Sequence, residues 1–160
     1  MPMIDRARSA VRLTIRINQI VILLILWAVP VAAQGGRSGV VAVYLDGVRS
    51  APGEVVVRLY RSADGFPWDH RRAYREVREP ARPAGATMLL DDVPSGPVAV
   101  VAFHAEAGGT RMHLDEAGRP LDGWAVSGDP DAAAFERASV RVRDGGVAVV
   151  RLRFRYPSDR

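Results

Sequence analysis

Short apolar segments separated by turn residues fill the chain from residue 40 onward, and they limit the folds that it can adopt. The segments are rich in valine and end at glycine, proline or aspartate, which is the pattern of β-strands joined by tight turns. No long segment shows the helical period. The predicted strands are 40–45, 54–60, 86–90, 98–103, 139–142 and 147–156, with a charged edge strand at 74–79.

The last predicted strand alternates apolar residues with arginines, which gives it two distinct faces. The apolar side chains are Val150, Leu152, Phe154 and Tyr156, and the cationic ones are Arg151, Arg153 and Arg155. The turn residues Asp144, Gly145 and Gly146 before it predict a hairpin with segment 139–142.

Segment 98–103 is apolar at every position, which predicts a central strand covered on both faces or one whose outer face a loop protects. About seven short strands without helical crossovers favour an all-β, two-sheet antiparallel β-sandwich, immunoglobulin-like or transthyretin-like, over a closed barrel. The connection 105–135 is long for a compact domain, and we expect binding residues there because such loops on rigid scaffolds often carry function.

The N-terminal segment predicts export. Four arginines precede an apolar run from Ile20 to Val29, and Pro30 and small residues then lead to Ala33. This order is typical of a secretory signal peptide, and the run is too short to span a bilayer. We therefore expect a signal peptide at 1–33 and a single domain at 34–160, exported by the general secretion route to the periplasm or the cell exterior, with no transmembrane segment after cleavage. An uncleaved signal that keeps the protein at the inner membrane is the alternative.

The amino-acid composition limits how the domain can be stabilised and which partners it can bind. The chain has no cysteine, so an exported domain must be stabilised by apolar packing instead of disulfides. All 22 basic residues are arginine, against 18 acidic residues, and four of the arginines belong to the predicted signal. The remaining domain is therefore nearly neutral, which is not the charge pattern of a nucleic-acid-binding protein. No nucleic-acid partner is expected.

Several motifs along the predicted domain resemble those of a known family. They are Leu59-Tyr60, Gly65-Phe66-Pro67, Asp92-Val93-Pro94-Ser95-Gly96, Val98-Ala99-Val100, His104, Gly118-Arg119-Pro120, Gly123-Trp124, Ser127 and Phe135-Glu136-Arg137-Ala138. In their order and spacing they resemble the exported, small, β-rich bacterial family known as domain of unknown function twenty-one forty-one. The biochemical role of that family is undefined, so the resemblance implies a fold and an export route.

The loop after His104 departs from the family pattern. Members continue with Asp-Glu-Asn-x-Asn-Gly-Lys-Leu-Asp, an oxygen-rich spacing that resembles a calcium loop. In this chain Ala105, Ala107 and Gly109 replace three of those donors, and His113 stands at the last aspartate. Because calcium requires many oxygen ligands, we expect no metal and no cofactor here.

The same loop is the first candidate ligand site. Its members are His104, Glu106, His113, Asp115 and Trp124. Imidazole and carboxylate form a common zinc set, so a metal-assisted hydrolase that uses both histidines is the alternative function. The favoured interpretation is a packed His104 at the end of a core strand and an exposed His113. Since no nucleophile elbow, His-Glu-x-x-His helix, phosphate loop or cysteine nucleophile occurs, the sequence predicts a protein that is not an enzyme.

The arginine face is the second candidate. Across the predicted hairpin, Arg141 and Arg143 would join Arg151, Arg153 and Arg155 in a basic stripe able to bind phosphate or carboxylate groups. A solvated strand face is the simpler interpretation.

The loop aromatics Phe66, Trp68 and Trp124 are suited to stacking on sugar rings, although covering the core is the favoured interpretation. Together these features predict an exported, non-catalytic binding or structural module of the periplasm or cell envelope. Its expected partners are envelope polysaccharide, anionic lipid headgroups or another envelope protein.

Overall fold

The computed structural model describes residues 37–50, 52–128 and 134–157. The predicted signal peptide at 1–33 lies outside these residues. The strands are β1 (Ser38–Asp46), β2 (Glu54–Tyr60), β3 (Arg75–Pro80), β4 (Ala86–Pro94), β5 (Gly96–Ala105), β6 (Gly123–Val126), β7 (Val140–Val142) and β8 (Val147–Arg153), with a short helix α1 (Phe135–Ala138) and a 3-10 turn at His70–Arg72. Within this described part, no helix has the length and apolar character needed to cross a membrane.

The strands form two sheets. The small sheet has the order β4-β1-β8, and the large sheet has the order β3-β2-β5-β6 with β7 paired to the beginning of β5. Strands β1 and β8 run parallel, whereas the other neighbours pair antiparallel. The predicted all-β, two-sheet sandwich is confirmed, with one parallel pair in its small sheet.

The two sheets bury their facing side chains against each other because alternate residues of a strand point to one side. From the small sheet, the buried side chains are Val41, Val43, Leu45, Met88, Leu90, Val93, Val150 and Leu152. From the large sheet, they are Val55, Val57, Leu59, Val98, Val100, Ala102, Ala125 and Val142. The predicted apolar face of β8 lies in this core, and its arginines lie on the exposed side.

A second apolar layer covers the outer face of the large sheet. The outward side chains Val56, Tyr60, Ala99, Val101 and Phe103 are buried under the loops that surround them. The covering residues are Phe66, Trp68, Met112, Trp124 and Phe135. Segment 98–103 is buried on both faces as predicted, and Phe66, Trp68 and Trp124 pack on the core in the favoured way, although Trp124 lies on strand β6 and not in a loop.

The small sheet has no comparable cover from the described residues. Four large apolar side chains on its outer face stay exposed, and they are Tyr44, Leu89, Val147 and Val149. The register places Ala42 of β1 opposite both Leu89 of β4 and Val149 of β8, so these three apolar side chains form one row across the small sheet. The outer surface of β8 therefore changes from valine to arginine along its length.

Two sequence-based expectations about the strand topology are wrong. The region 105–135 is not one open connection, because β6 lies within it and pairs with β5. The predicted hairpin does not form either, since β7 pairs with β5 in the large sheet and β8 pairs with β1 in the small sheet. The turn at Asp144 and Gly145 therefore carries the chain from one sheet to the other.

Candidate functional site

His104 lies near the end of β5, and its side chain is fully buried. Its Nε2 is 2.9 Å from the carbonyl oxygen of Pro52, which can only accept, so Nε2 carries the hydrogen. Its Nδ1 is 2.9 Å from the Tyr156 hydroxyl, which in turn accepts the Arg49 backbone N–H at 3.0 Å. Both ring nitrogens are thus bonded within the fold, and neither faces a free coordination position.

Tyr156 reaches His104 because the adjoining strand carries no side chain at Gly123. A Cβ at that position would stand 2.1 Å from the tyrosine ring. Glycine at 123 therefore serves close packing of the ring. The Arg49 guanidinium stacks on the Tyr156 ring, 4.4 Å from the ring centroid.

Glu106 belongs to the same cluster. Arg49 binds both of its carboxylate oxygens, at 3.0 and 3.1 Å, and the Ser50 hydroxyl donates to Oε1 at 2.9 Å. The hydrogen bonds from Arg49, followed by that from Ser50, lower the pKa of Glu106 from 4.5 to about 2. This carboxylate is an anchor for the segment around Arg49.

His113 and Asp115 lie elsewhere on the loop. His113 is exposed and its Nδ1 pairs with the Asp122 carboxylate at 3.0 Å, which also accepts the His113 backbone N–H at 2.7 Å. Asp115 accepts the backbone N–H groups of Ala117 and Arg119 at 2.9 and 2.8 Å, and it pairs with the Arg119 side chain. These contacts hold a tight turn between 113 and 122.

Trp124 faces the outer layer, where its ring meets Trp68 edge to face with centroids 5.7 Å apart. The five predicted residues therefore divide among three places, and only His104 and Glu106 share one cluster. Among the residues that the structure describes, no group of three or more His, Cys, Asp or Glu side chains is arranged to hold a metal ion.

Arg49, Ser50 and Tyr156 are members of the His104 cluster that the sequence did not reveal. They lie about fifty residues before or after His104 in the sequence, so no local motif links them to it. Arg58 is a second hidden feature. It is buried on the outer face of β2, bonds Glu76 Oε2 at 2.8 Å and the carbonyl of Thr110, and stacks on Phe103.

The predicted basic stripe is divided by the topology. Arg141 lies on β7, which pairs with β5 in the large sheet, and Arg143 directly follows β7. Arg151 and Arg153 lie on β8 in the small sheet, and Arg155 lies just beyond it. The stripe across a β7–β8 hairpin is therefore wrong, and the three arginines of the β8 segment form a separate surface.

These three arginines border a cleft that the sequence did not predict. The cleft has a volume of about 410 Å³ and is lined by Val126, Gly128, Arg151, Arg153, Phe154 and Arg155; we call it the arginine cleft. It lies where the end of β6 and the end of β8 approach each other, next to the bridge between Trp124 and Arg155. The two Trp124–Arg155 backbone hydrogen bonds, both 2.9 Å, close one end of it.

The arginine cleft is cationic and open. The side chains of Arg151 and Arg153 are exposed, and neither pairs with a carboxylate of the described residues. Arg151 stands 5.6 Å from the centroid of the Tyr44 ring on the neighbouring strand. Two guanidinium groups on one strand face can bind carboxylate or phosphate oxygens in pairs.

The fold and these clusters define a class: a small all-β sandwich whose larger sheet has an aromatic outer layer and whose buried histidine is held by hydrogen bonds. The chain belongs to the bacterial family described as "Uncharacterized protein conserved in bacteria (DUF2141)", whose profile matches residues 43–150. The resemblance inferred from the motifs is thereby confirmed. Comparison with curated proteins found no match, and comparison with solved structures found none.

Proposed function

We propose that this protein is an exported, non-catalytic sandwich domain that binds anionic groups of an envelope partner in the arginine cleft. The observation that carries the proposal is the convergence of Arg151, Arg153 and Arg155 on one open cleft. Envelope polysaccharides, lipid headgroups and acidic protein segments share the required carboxylate or phosphate chemistry. The signal-like N-terminal segment supports an envelope location.

The cluster of His104 and Glu106 supports a non-catalytic function, because both side chains are already hydrogen-bonded within the fold. His104 uses both ring nitrogens in the fold, and Glu106 is bonded to Arg49 and Ser50. A general base or a metal ligand needs a nitrogen or oxygen that can reach a substrate or an ion. The cluster is therefore best understood as structural.

The test is a binding titration of the protein purified from expressing bacterial cells. The probes are an oligogalacturonate, vesicles rich in phosphatidylglycerol, and a glutamate-containing peptide, with a neutral dextran for comparison. We expect saturable binding of at least one anionic probe, weakened by salt as ion pairs are. The double variant Arg151→Gln/Arg153→Gln should lose about tenfold or more in affinity, since two charge-assisted contacts disappear.

The matched control is Arg141→Gln/Arg143→Gln, which removes the same charge from β7 and the residue that follows it. It should bind the probes like the unmodified protein. Equal losses in the two double variants would show that net charge alone attracts the probes, and that the arginine cleft is not their site.

A further inference from the structure

The backbone of β8 directs hydrogen-bonding groups into the arginine cleft. Phe154 donates its N–H to the Asp46 carbonyl, toward β1, whereas Arg155 exchanges both of its backbone hydrogen bonds with Trp124 on the opposite side. Because successive residues of a strand point their N–H and C=O groups to alternate sides, those of Arg153 and Arg151 point the same way as those of Arg155. They face away from β1, along the outer edge of the small sheet.

The end of β6 presents its backbone to the same space. Ser127 donates its N–H to the Val100 carbonyl of β5 at 2.8 Å, so the neighbouring Val126 directs its own groups away from β5. The Trp124–Arg155 bridge sets an antiparallel register that brings Val126 toward Arg153. Pairing nevertheless stops at this isolated bridge, and Val126 and Arg153 instead line the arginine cleft.

The edge of β8 is consequently an unpaired strand edge within the described part of the chain. The small sheet ends at β8, and the pairing of β8 with β1 uses only its other side. Open edges of this kind accept a further strand unless charge, proline or a covering segment prevents it. Here the edge charges are the arginines of β8, all of which are positive. They should repel a basic strand and attract an acidic one.

We propose that the arginine cleft receives an extended acidic segment of another polypeptide, which adds to the small sheet as a fourth strand beside β8. The inference rests on the proposed anion-binding function and specifies its partner. The segment would pair its backbone with the groups of Arg151 and Arg153, and its carboxylates would meet the two guanidinium groups. This combination of strand pairing and side-chain selection is a general mode of peptide recognition.

The chemistry of the cleft favours a polypeptide over a polysaccharide or a lipid headgroup. Arg151 and Arg153 are two residues apart on one strand, so their side chains leave the same face about 6.4–6.8 Å apart. A β-strand with acidic residues at alternate positions repeats at that spacing and also offers backbone donors and acceptors in alternation. Sugars and headgroups match the guanidinium groups alone.

The test uses blocked synthetic peptides with glutamate at alternate positions and valine between them, titrated against the protein purified from expressing cells. We expect the glutamate peptide to bind, and the same peptide with glutamine in place of glutamate to bind about tenfold or more weakly. A third peptide keeps every glutamate but carries N-methyl groups on the backbone of one edge, with a fourth methylated on the other edge. One of the two should lose binding, because strand addition uses a single edge.

A protein variant tests the same contacts from the other side. Val149 alternates in phase with Arg151 and Arg153, so its N–H also points to the open edge. Val149→Pro removes one edge donor without changing charge or the β1 pairing, and proline is tolerated at strand edges. We expect weaker peptide binding and unchanged oligogalacturonate binding, with the far-ultraviolet circular dichroism spectrum confirming the fold.

The outcomes separate the two proposals. If both N-methylated peptides and the oligogalacturonate bind as well as the parent peptide, and all depend on Arg151 and Arg153, then anion binding stands and strand addition is overturned. If no anionic probe shows binding that Arg151→Gln/Arg153→Gln removes, the proposed function fails as well.

Discussion

His104 and Arg58 are polar side chains that the sandwich buries almost completely. Burying such groups is costly unless each hydrogen-bonding atom finds a partner. His104 meets this requirement through Pro52 and Tyr156, and Arg58 meets it through Glu76 and the Thr110 carbonyl. In both cases the partner comes from a distant segment, so each side chain fixes a loop onto the large sheet.

Glu106→Gln tests the carboxylate anchor at the residue scale. The folded-state pKa of about 2 lies below the ordinary 4.5, so the carboxylate stabilises the fold above pH 4.5 and this contribution is lost as the pH falls toward 2. Because the side chain is partly exposed, we expect a loss of about 1 kcal/mol in the free energy of unfolding at pH 7. Urea denaturation at several pH values measures it.

The control for this variant is Glu116→Gln, which changes an exposed carboxylate and should leave the unfolding free energy unchanged. The difference between Glu106→Gln and the unmodified protein should shrink as the pH falls below 4.5. A difference that stays constant from pH 7 to pH 3 would contradict an origin in the carboxylate charge.

Arg58→Met tests the buried ion pair. Burial raises the pKa of Glu76, but the hydrogen bonds from Arg58 and Arg78 outweigh it and the pKa is lowered. Without Arg58, the Thr110 carbonyl loses a donor, and among the described residues Glu76 keeps Arg78 as its ion-pair partner. We therefore expect the free energy of unfolding, measured by urea denaturation, to fall by about 2 kcal/mol. Arg78→Met, at a more exposed position, should cost clearly less. Equal losses would mean that burial does not determine how much the Arg58–Glu76 pair contributes to the free energy of unfolding.

At the scale of elements, Ser127 joins three of them. Its Oγ accepts the Val100 N–H of β5 at 2.9 Å and donates to the Ala138 carbonyl of α1 at 2.6 Å, while the residue itself follows β6. The side chain is fully buried, so both partners depend on it. The connection next to Val126 and Gly128 is thereby fixed to the sheet, which holds one wall of the arginine cleft.

Ser127→Ala should therefore destabilise the fold by about 2 kcal/mol, because it leaves a buried N–H and a buried carbonyl without their partner. Chemical denaturation of the variant measures the loss. Ser139→Ala removes a hydroxyl from an exposed hydrogen bond to Glu136 and serves as the control, with an expected change within about 0.5 kcal/mol. Similar values for the two variants would contradict a linking role for Ser127.

The strands could be predicted from sequence where the chain shows long apolar or alternating segments. The prediction for β2 agrees with its observed bounds, and that for β5 falls short by only two residues at each end. The four residues of β6 carry no periodicity that could reveal them. The hairpin prediction failed because a turn signal reports a change of direction and does not say which sheet receives the next strand.

The candidate site was less predictable for a related reason. His104 and Glu106 are recognisable chemical groups, but their partners Arg49 and Tyr156 are brought to them by the pairing of sheets. The arginine cleft likewise needs Val126 and Arg153 to face each other across two strands. Such contacts depend on topology, which a single sequence specifies only weakly.

At the scale of the whole molecule, the proposed export makes a direct prediction about the N-terminus. Protein recovered from a periplasmic or culture-medium fraction should begin at Gln34, because the small residues up to Ala33 suit signal cleavage. Intact-mass spectrometry of that fraction measures this. A mass that corresponds to a start at Met1, found in the membrane fraction, would contradict cleavage and favour the retained-signal alternative.

The parallel pairing of β1 and β8 has a consequence for the order of assembly. Val40 and Val147 are neighbours in the small sheet although more than a hundred residues of chain separate them. Contacts between such distant positions slow folding, because the entropy of closing a long loop is lost before the contacts can stabilise the structure. During synthesis β1 lacks one of its two neighbours until β8 has left the ribosome. The sandwich therefore cannot be completed before β8 is made, and an unfinished fold is the form that the proposed export would require.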